Sequence, residues 1–330
     1  MIISRTPFRI SFSGGGTDLP SFYSNNGYGC VVSTSIASYL HVILKRHTPF
    51  FDERIRLNYS ETEMVNDISE IKNQIMQECL KFLNIDDRIY ISTISDVPAM
   101  TGLGSSSTFC VGLLNALYKF KGIPVSSGRL AEEASHIEIE LLGRPMGKQD
   151  HYAAAYGGLN FIQFFDDESV SVRAINSQDD SVKAIFESMM AFWMRSTRPS
   201  ESVLAEQDSN HKENTDILVG MRDQAGELRK QLANEPFSLE RFAEVIHENW
   251  IQKKQLASKI SNSTIDEYYT TAMAAGALGG KVAGAGAGGF LLMFAPPNRH
   301  DAIRKSLGPF GINAYQFTYE TQGATVKEYD

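Results

Sequence analysis

The chain has 330 residues, with 31 Lys and Arg against 39 Asp and Glu, 42% hydrophobic residues and a formal net charge of −8. This is the balance of a globular protein long enough for two domains or one large α/β unit. It excludes the broad basic field that duplex nucleic acid or an anionic membrane requires, so no nucleic acid and no membrane are expected as partners.

Cys30, Cys79 and Cys110 are scattered, without CxxC spacing, which argues against a disulfide framework or a zinc site; they read as buried thiols. Arg5 and Arg9 interrupt the N-terminal segment where a signal peptide would be apolar, and no long uncharged apolar stretch follows, so a cytoplasmic protein is expected.

In chain order, residues 1–12 and 29–47 carry the β-branched and aromatic pattern of strands, and Gly14, Gly15 and Gly16 break the first run. Residues 67–83 predict a helix, Tyr90 to Val97 a strand, and the spacing of Cys110, Leu113, Leu114 and Leu117 a helix that Lys121-Gly122 ends. A second helix is predicted from Ser127 to Leu142. The polar stretch from Asp166 to Ser181 is the candidate boundary, giving domains 1–182 and 183–330. Helices are then predicted over 201–233, 238–258 and 264–278, followed by a glycine run, the apolar strand FLLMF that Pro296-Pro297 stops, and a closing helix and β segment.

The stretch TGLGSSS, residues 101–107, falls between a predicted strand and a predicted helix. There the first helical N–H groups are unpaired, glycines let a ligand approach the backbone, and serine hydroxyls add donors, so Gly102, Leu103, Gly104, Ser105, Ser106 and Ser107 form a candidate cradle for a triphosphate. The alternative is a serine N-cap on a tight turn. The phosphate-loop pattern ending in Gly-Lys-Ser/Thr is absent, because Lys281 is followed by Val282. Gly284, Gly286 and Gly289 fit G-x-G-x-x-G, but they are expected to end a helix and precede a strand, the wrong order for a dinucleotide site. Either a hinge or close backbone packing against a substrate or the cradle loop would explain them.

The charged candidates are Glu138, able to face a cleft and hold a divalent cation, and Asp150, set between a Gly-Lys pair and a small-residue stretch with Lys148 close by. Asp150 could accept a proton from a hydroxyl, or it could cap a helix. Arg9 could neutralise a transferring phosphoryl group or be an ordinary strand arginine. Asp18, after three glycines, offers two acceptor oxygens to neighbouring sugar hydroxyls, or caps a turn.

Taken together, TPFRISFSGGGTD (6–18), VPAMTGLGSSS (97–107) and KVAGAGAGG (281–289) resemble the three motifs of the galactokinase, homoserine kinase, mevalonate kinase and phosphomevalonate kinase family, the GHMP kinases. The resemblance implies a two-domain α+β fold with nucleotide and acceptor in the inter-domain cleft, and ATP and Mg²⁺ as cofactors. It implies Ser106 and Glu138 on the metal, Asp150 as catalytic aspartate with Arg9 and Lys148 offsetting charge, and Asp18 on substrate hydroxyls. Glycines 14–16, 284 and 286 would line the substrate. Gly15-Gly16 stand where galactokinases have Glu-His, against galactose as acceptor, and Phe8 replaces a usual glycine.

The spellings SGGGTDLPSFY and GKQDHYAAAYGGLNFI look like the heptose kinase branch, whose members phosphorylate D-glycero-D-manno-heptose 7-phosphate at its anomeric oxygen. A phosphorylated sugar needs a second anion site, and Arg198 in MRSTRPS matches the arginine of the family's TRS. A free sugar such as fucose, or a non-catalytic sensor of sugar and nucleotide on the same fold, are the rival readings; the sequence leaves a homodimer open.

Overall fold

The computed structural model describes residues 1–175, 179–196 and 201–330. Its first sheet is built from β1 (Ile2–Ser13), β2 (Tyr28–Arg46), β3 (Ile55–Asn58), β4 (Thr62–Val65), β5 (Ile89–Ser95), β6 (Leu159–Phe165) and β7 (Val170–Ala174). β2 is its spine: the strand pairs β1 along most of its length, β6 over Tyr28–Thr34 and β5 over Leu40–Arg46. The second sheet runs in the order β11 (Ala314–Tyr315), β8 (Met189–Trp193), β10 (Phe290–Phe294), β9 (Gly279–Val282), all antiparallel. β12 (Thr325–Glu328) then returns to pair with β1.

The helices are α1 (Pro20–Asn26), α2 (Gln74–Phe82), α3 (Ser105–Phe120), α4 (Ser127–His136), α5 (Gln149–Tyr156), α6 (Asp179–Ser188), α7 (Glu201–Ser209), α8 (Thr215–Asn234), α9 (Leu239–Lys253), α10 (Ser263–Ala274) and α11 (His300–Leu307). α3 is buried on nearly every side, from Ser107 through Tyr118, because β1 and β2 cover one face and α2, α4 and α5 the others. Such a helix reads as apolar all round rather than striped. One core cluster spans the two halves, where Phe12 on β1, Phe242 on α9 and Phe294 on β10 pack edge to face with centroids 5.1–6.2 Å apart, and a second cluster around Trp250, Leu218 and Met293 fills the C-terminal half.

The structure departs from the sequence expectations in definite places. The helix expected over 67–83 is a one-turn 3₁₀ segment, Ile68–Glu70, followed by α2, whose first turn is capped by the Asn73 side chain. The helix expected over 201–233 breaks between Ser209 and Thr215. The helix expected to reach Leu142 widens into a π turn at Ile137–Leu141. The expected boundary at 182/183 falls inside α6, and β12 joins the first sheet from the far end of the chain. The glycine run does not end a helix: β9 intervenes, so the run is the loop of the β9–β10 hairpin. All three cysteines are buried and free. Among the described residues no helix is long and apolar enough to cross a membrane.

Candidate active site

Three turns converge on a cavity of about 1020 Å³: the one after β1, the loop from β5 into α3, and the β9–β10 hairpin. The second is held against the third at backbone distance. Gly102 has φ +83°, and a Cβ there would lie 2.4 Å from the Ala283 carbonyl oxygen. The expected packing partner of the glycine hairpin is thus the cradle loop, with Gly284 against Gly102 and Gly284 and Gly286 both on the cavity wall.

α3 starts at the floor of the cavity. Its N-cap, Gly104, is left-handed and supplies no side-chain cap, so the first-turn amides of Ser105, Ser106 and Ser107 lack intrahelical acceptors where these residues line the space. The hydroxyls of Ser105 and Ser107 are buried without a partner, which an N-capping serine's would not be. Leu103, expected in the cradle, turns inward instead: its side chain is fully buried and outside the cavity, and its carbonyl accepts from the Arg9 amide at 3.2 Å.

Arg9 ties the site together. Its Nε and Nη2 donate to the two carboxylate oxygens of Asp150 at 2.6 Å each, and its Nη1 donates to the Gly102 carbonyl at 2.7 Å. The guanidinium is 5% exposed, and this fork fixes Asp150 at the start of α5 over the cradle loop. Lys148 does not accompany it. Its ammonium bonds Glu168 and lies 5.6 Å over the Tyr23 ring, outside the cavity, because residues two apart at a helix start point to different sides.

Asp18 is engaged by the protein itself. Oδ1 accepts from the Gly16 amide at 2.9 Å and Gln149 Nε2 at 3.0 Å, and Oδ2 from the Gln149 amide at 3.3 Å, clamping the first turn to α5. Burial drives its carboxyl above the ordinary value and the nearby Asp150 charge adds to this, while the Gly16 and Gln149 amides pull it back. Of the three glycines, Gly15 and Gly16 line the cavity; Gly14 instead packs on β2, where a Cβ would sit 2.0 Å from the Cys30 carbonyl oxygen.

Glu138 lies in the π turn, wholly buried rather than at the edge of a solvated face. Its carboxylate receives the Ser106 hydroxyl, Arg144 Nη1 at 2.6 Å and His151 Nε2 at 2.9 Å. Burial pushes this carboxyl up, but His151, Ser106 and Arg144 outweigh it and hold it below the ordinary range. Arg144 Nη1 also donates to Ser106 Oγ at 2.7 Å, so a guanidinium bridges the two oxygens that sequence reasoning assigned to a cation. A hydroxyl and a carboxylate so paired are hard-oxygen donors fitting Mg²⁺. Among the described residues no cluster of three or more His, Cys, Asp or Glu could hold a metal.

Sequence reasoning missed Arg144, His151, Gln149, Gln207 and Lys253. Lys253, at the end of α9, is 6% exposed, lines the cavity and donates to the Gly284 carbonyl at 2.5 Å. Burial, reinforced by the Arg9 charge and opposed by Asp18 and Asp150, lowers its ammonium to about 8. Arg198, expected to bind a second phosphate, lies outside the described residues.

Comparison with known proteins matches residues 68–158 to the GHMP kinases N terminal domain and residues 228–312 to the GHMP kinases C terminal domain, together more than half of the chain. A D-glycero-alpha-D-manno-heptose 7-phosphate kinase of Campylobacter jejuni is 28% identical over 97% of each chain. A D-glycero-D-manno-heptose 1-phosphate kinase of Bacteroides thetaiotaomicron superposes with a TM-score of 0.82 at 22% identity, covering 100% of both chains. A mevalonate kinase of Methanococcus jannaschii superposes with a TM-score of 0.72 at 20% identity over 97% of this chain and 98% of its own. At these identities the two superpositions speak for the fold, which is the two-domain GHMP kinase fold expected above.

Proposed function

The chain belongs to the GHMP kinases, and from that premise we propose that it is an ATP-dependent sugar kinase whose acceptor is D-glycero-D-manno-heptose 7-phosphate, phosphorylated at the anomeric hydroxyl. The observation that carries the reading is the Arg9 fork, which joins a carboxylate to the carbonyl of a glycine loop at the open start of a helix.

In this reading the β- and γ-phosphates of ATP lie on the amides of Ser105, Ser106 and Ser107, assisted by the free hydroxyls of Ser105 and Ser107. Apolar residues Ile75, Val97, Pro98 and Phe109 line the cavity beyond the loop and give the base a hydrophobic wall. The acceptor lies on the other side of Arg9, against Gly15, Gly16 and Asp18. Asp18 spends three acceptor positions on the protein, which leaves one for a sugar hydroxyl.

Transfer is an in-line displacement: the acceptor oxygen forms its bond to the γ-phosphorus as the bond to the β,γ-bridging oxygen breaks, and ADP leaves. Asp150 orients the hydroxyl and takes its proton, and Arg9 keeps the carboxylate aimed while offsetting charge on the phosphoryl group. Ser106 and Glu138 would hold Mg²⁺, which supplies charge neutralisation on the phosphates. For that, the Arg144 guanidinium has to leave the space between them.

ADP-coupled turnover over a panel of free and phosphorylated hexoses and heptoses tests the assignment. Heptose 7-phosphate should exceed every free sugar in kcat/KM by about tenfold or more, the scale of one charged contact. Sugar-independent ADP release, or fucose as the best acceptor, would overturn it.

A further inference from the structure

We propose that Lys253 is the acceptor-phosphate anchor, binding the phosphate monoester of the sugar in a recess opened by the missing side chains of Gly15 and Gly16. The inference rests on the sugar kinase reading and names the group on this chain that selects a phosphorylated acceptor.

The recess is built from donors. From the place a Cβ on Gly15 would occupy, Gln149 Nε2 lies at 3.5 Å, and Lys253 Nζ and Ser11 Oγ each at 3.7 Å. A Cβ on Gly16 would meet Gln207 Nε2 at 2.1 Å, so only glycine leaves that amide open. All six residues line the cavity. Ser11 Oγ and Gln207 Nε2 are buried with no hydrogen-bond partner, and Lys253 uses one of its three N–H donors, on Gly284. A buried ammonium without a carboxylate is costly, and Lys253 forms no ion pair among the described residues.

Asp18 and Asp150 favour its charge, but neither is hydrogen-bonded to it. Both oxygens of Asp150 are taken by Arg9, and Asp18 is saturated by three N–H groups but for one position. The charged groups facing Lys253 are Arg9 from β1, Asp18 from the following turn, Asp150 from α5 and, from β9, the buried Lys281, whose ammonium donates to the Phe12 carbonyl at 3.0 Å. Burial and the Lys253 and Arg9 charges hold the Lys281 ammonium well below its ordinary value, and both carboxylates are engaged by other donors, so the recess holds no anion paired with Lys253. A dianionic phosphate supplies it and takes the spare N–H groups of Lys253 with the Ser11 hydroxyl and Gln207 amide. A neutral hydroxymethyl end of a free sugar leaves the ammonium uncompensated.

The test uses the full chain with heptose 7-phosphate and its dephosphorylated heptose as paired acceptors. In K253M the kcat/KM preference for the phosphorylated acceptor should collapse by about 10- to 100-fold. In the wild type, binding of heptose 7-phosphate, measured by calorimetry, should weaken as pH rises through about 8, where Lys253 loses its proton. Binding of the free heptose should not follow that titration. Unaltered binding of a non-hydrolysable ATP analogue certifies that K253M is folded; should it fail that check, the wild-type pH series alone decides. Equal losses for both acceptors would place Lys253 on the transferring phosphoryl and overturn the proposal, as would pH-independent binding of heptose 7-phosphate. A wild type inactive on every sugar would instead remove the kinase reading itself.

Discussion

Asp150→Asn separates what the Arg9 fork does for the fold from what it does for turnover. The carboxylate accepts Nε–H and Nη2–H of Arg9 at 2.6 Å each, and Asn replaces one acceptor with an amide donor that meets a guanidinium N–H. Removing a whole partner from a buried pair costs about 3–5 kcal/mol. Here half the fork survives, Arg9 keeps the Gly102 carbonyl, and Asp150 is 16% exposed to the cleft, so about 2 kcal/mol is expected. At roughly 2–4 °C per kcal/mol, Tm should fall by about 4–8 °C. Loss of the proton acceptor should lower kcat about a hundredfold, equivalent to ~2.7 kcal/mol in the barrier. Steady-state ADP release gives kcat, differential scanning fluorimetry gives Tm, and calorimetry with a non-hydrolysable ATP analogue should show affinity within about threefold of wild type, the nucleotide site being untouched. An Asn variant turning over within threefold of wild type would remove Asp150 from the chemistry, whatever its Tm.

Other perturbations probe the remaining contacts. Gly102→Ala forces a Cβ to 2.4 Å from the Ala283 carbonyl at φ +83°, so strain and overpacking should together cost about 2–5 kcal/mol and weaken nucleotide binding. Gly122→Ala, with φ +69° but nothing within 4 Å, should lose only about 1 kcal/mol; equal losses would contradict the packing argument. Asp18 is a carboxyl raised chiefly by burial, so the folded state holds its proton more tightly and stability is lost as pH rises from 3.8 to its folded value. Asp18→Asn should therefore match wild type near pH 3 and exceed it in denaturant resistance at pH 7; a deficit at both pH values would show that the hydrogen bonds dominate. Glu138 has the opposite sign: its contribution is present above the ordinary carboxyl value of 4.5 and is lost as pH falls through the lowered folded value. The penalty of Glu138→Gln in urea unfolding should thus be largest at neutral pH and shrink in acid, and a constant penalty would refute the ion-pair account.

The site was legible where chemistry constrains the backbone. Cradle, hairpin and first turn all need glycine for close approach, and glycine in clusters is visible in a sequence. β2 and α3 were legible from their apolar runs. The charged partners were less so, because direction is not written in adjacency: Lys148 precedes Asp150 by two residues yet bonds Glu168, while Lys253 arrives from a helix more than a hundred residues away. Arg144 and His151 sit within the stretch that held the acidic candidates, but the π turn that brings Glu138 to them has no sequence signature. β9, spelled GGKV, lacks a strand pattern, since Gly279 and Gly280 pack on α9 and β10 without side chains. The break between α7 and α8 falls in a uniformly polar stretch where helical period gives no warning.

The account turns on phosphate binding at the start of α3, and a crystal structure of the protein with a non-hydrolysable ATP analogue and Mg²⁺ measures it directly. The β- and γ-phosphate oxygens should lie within hydrogen-bond distance of the Ser105, Ser106 and Ser107 amides, with the γ-phosphate facing Arg9 and Asp150. Phosphates bound elsewhere, with that first helical turn left bare, would contradict the account.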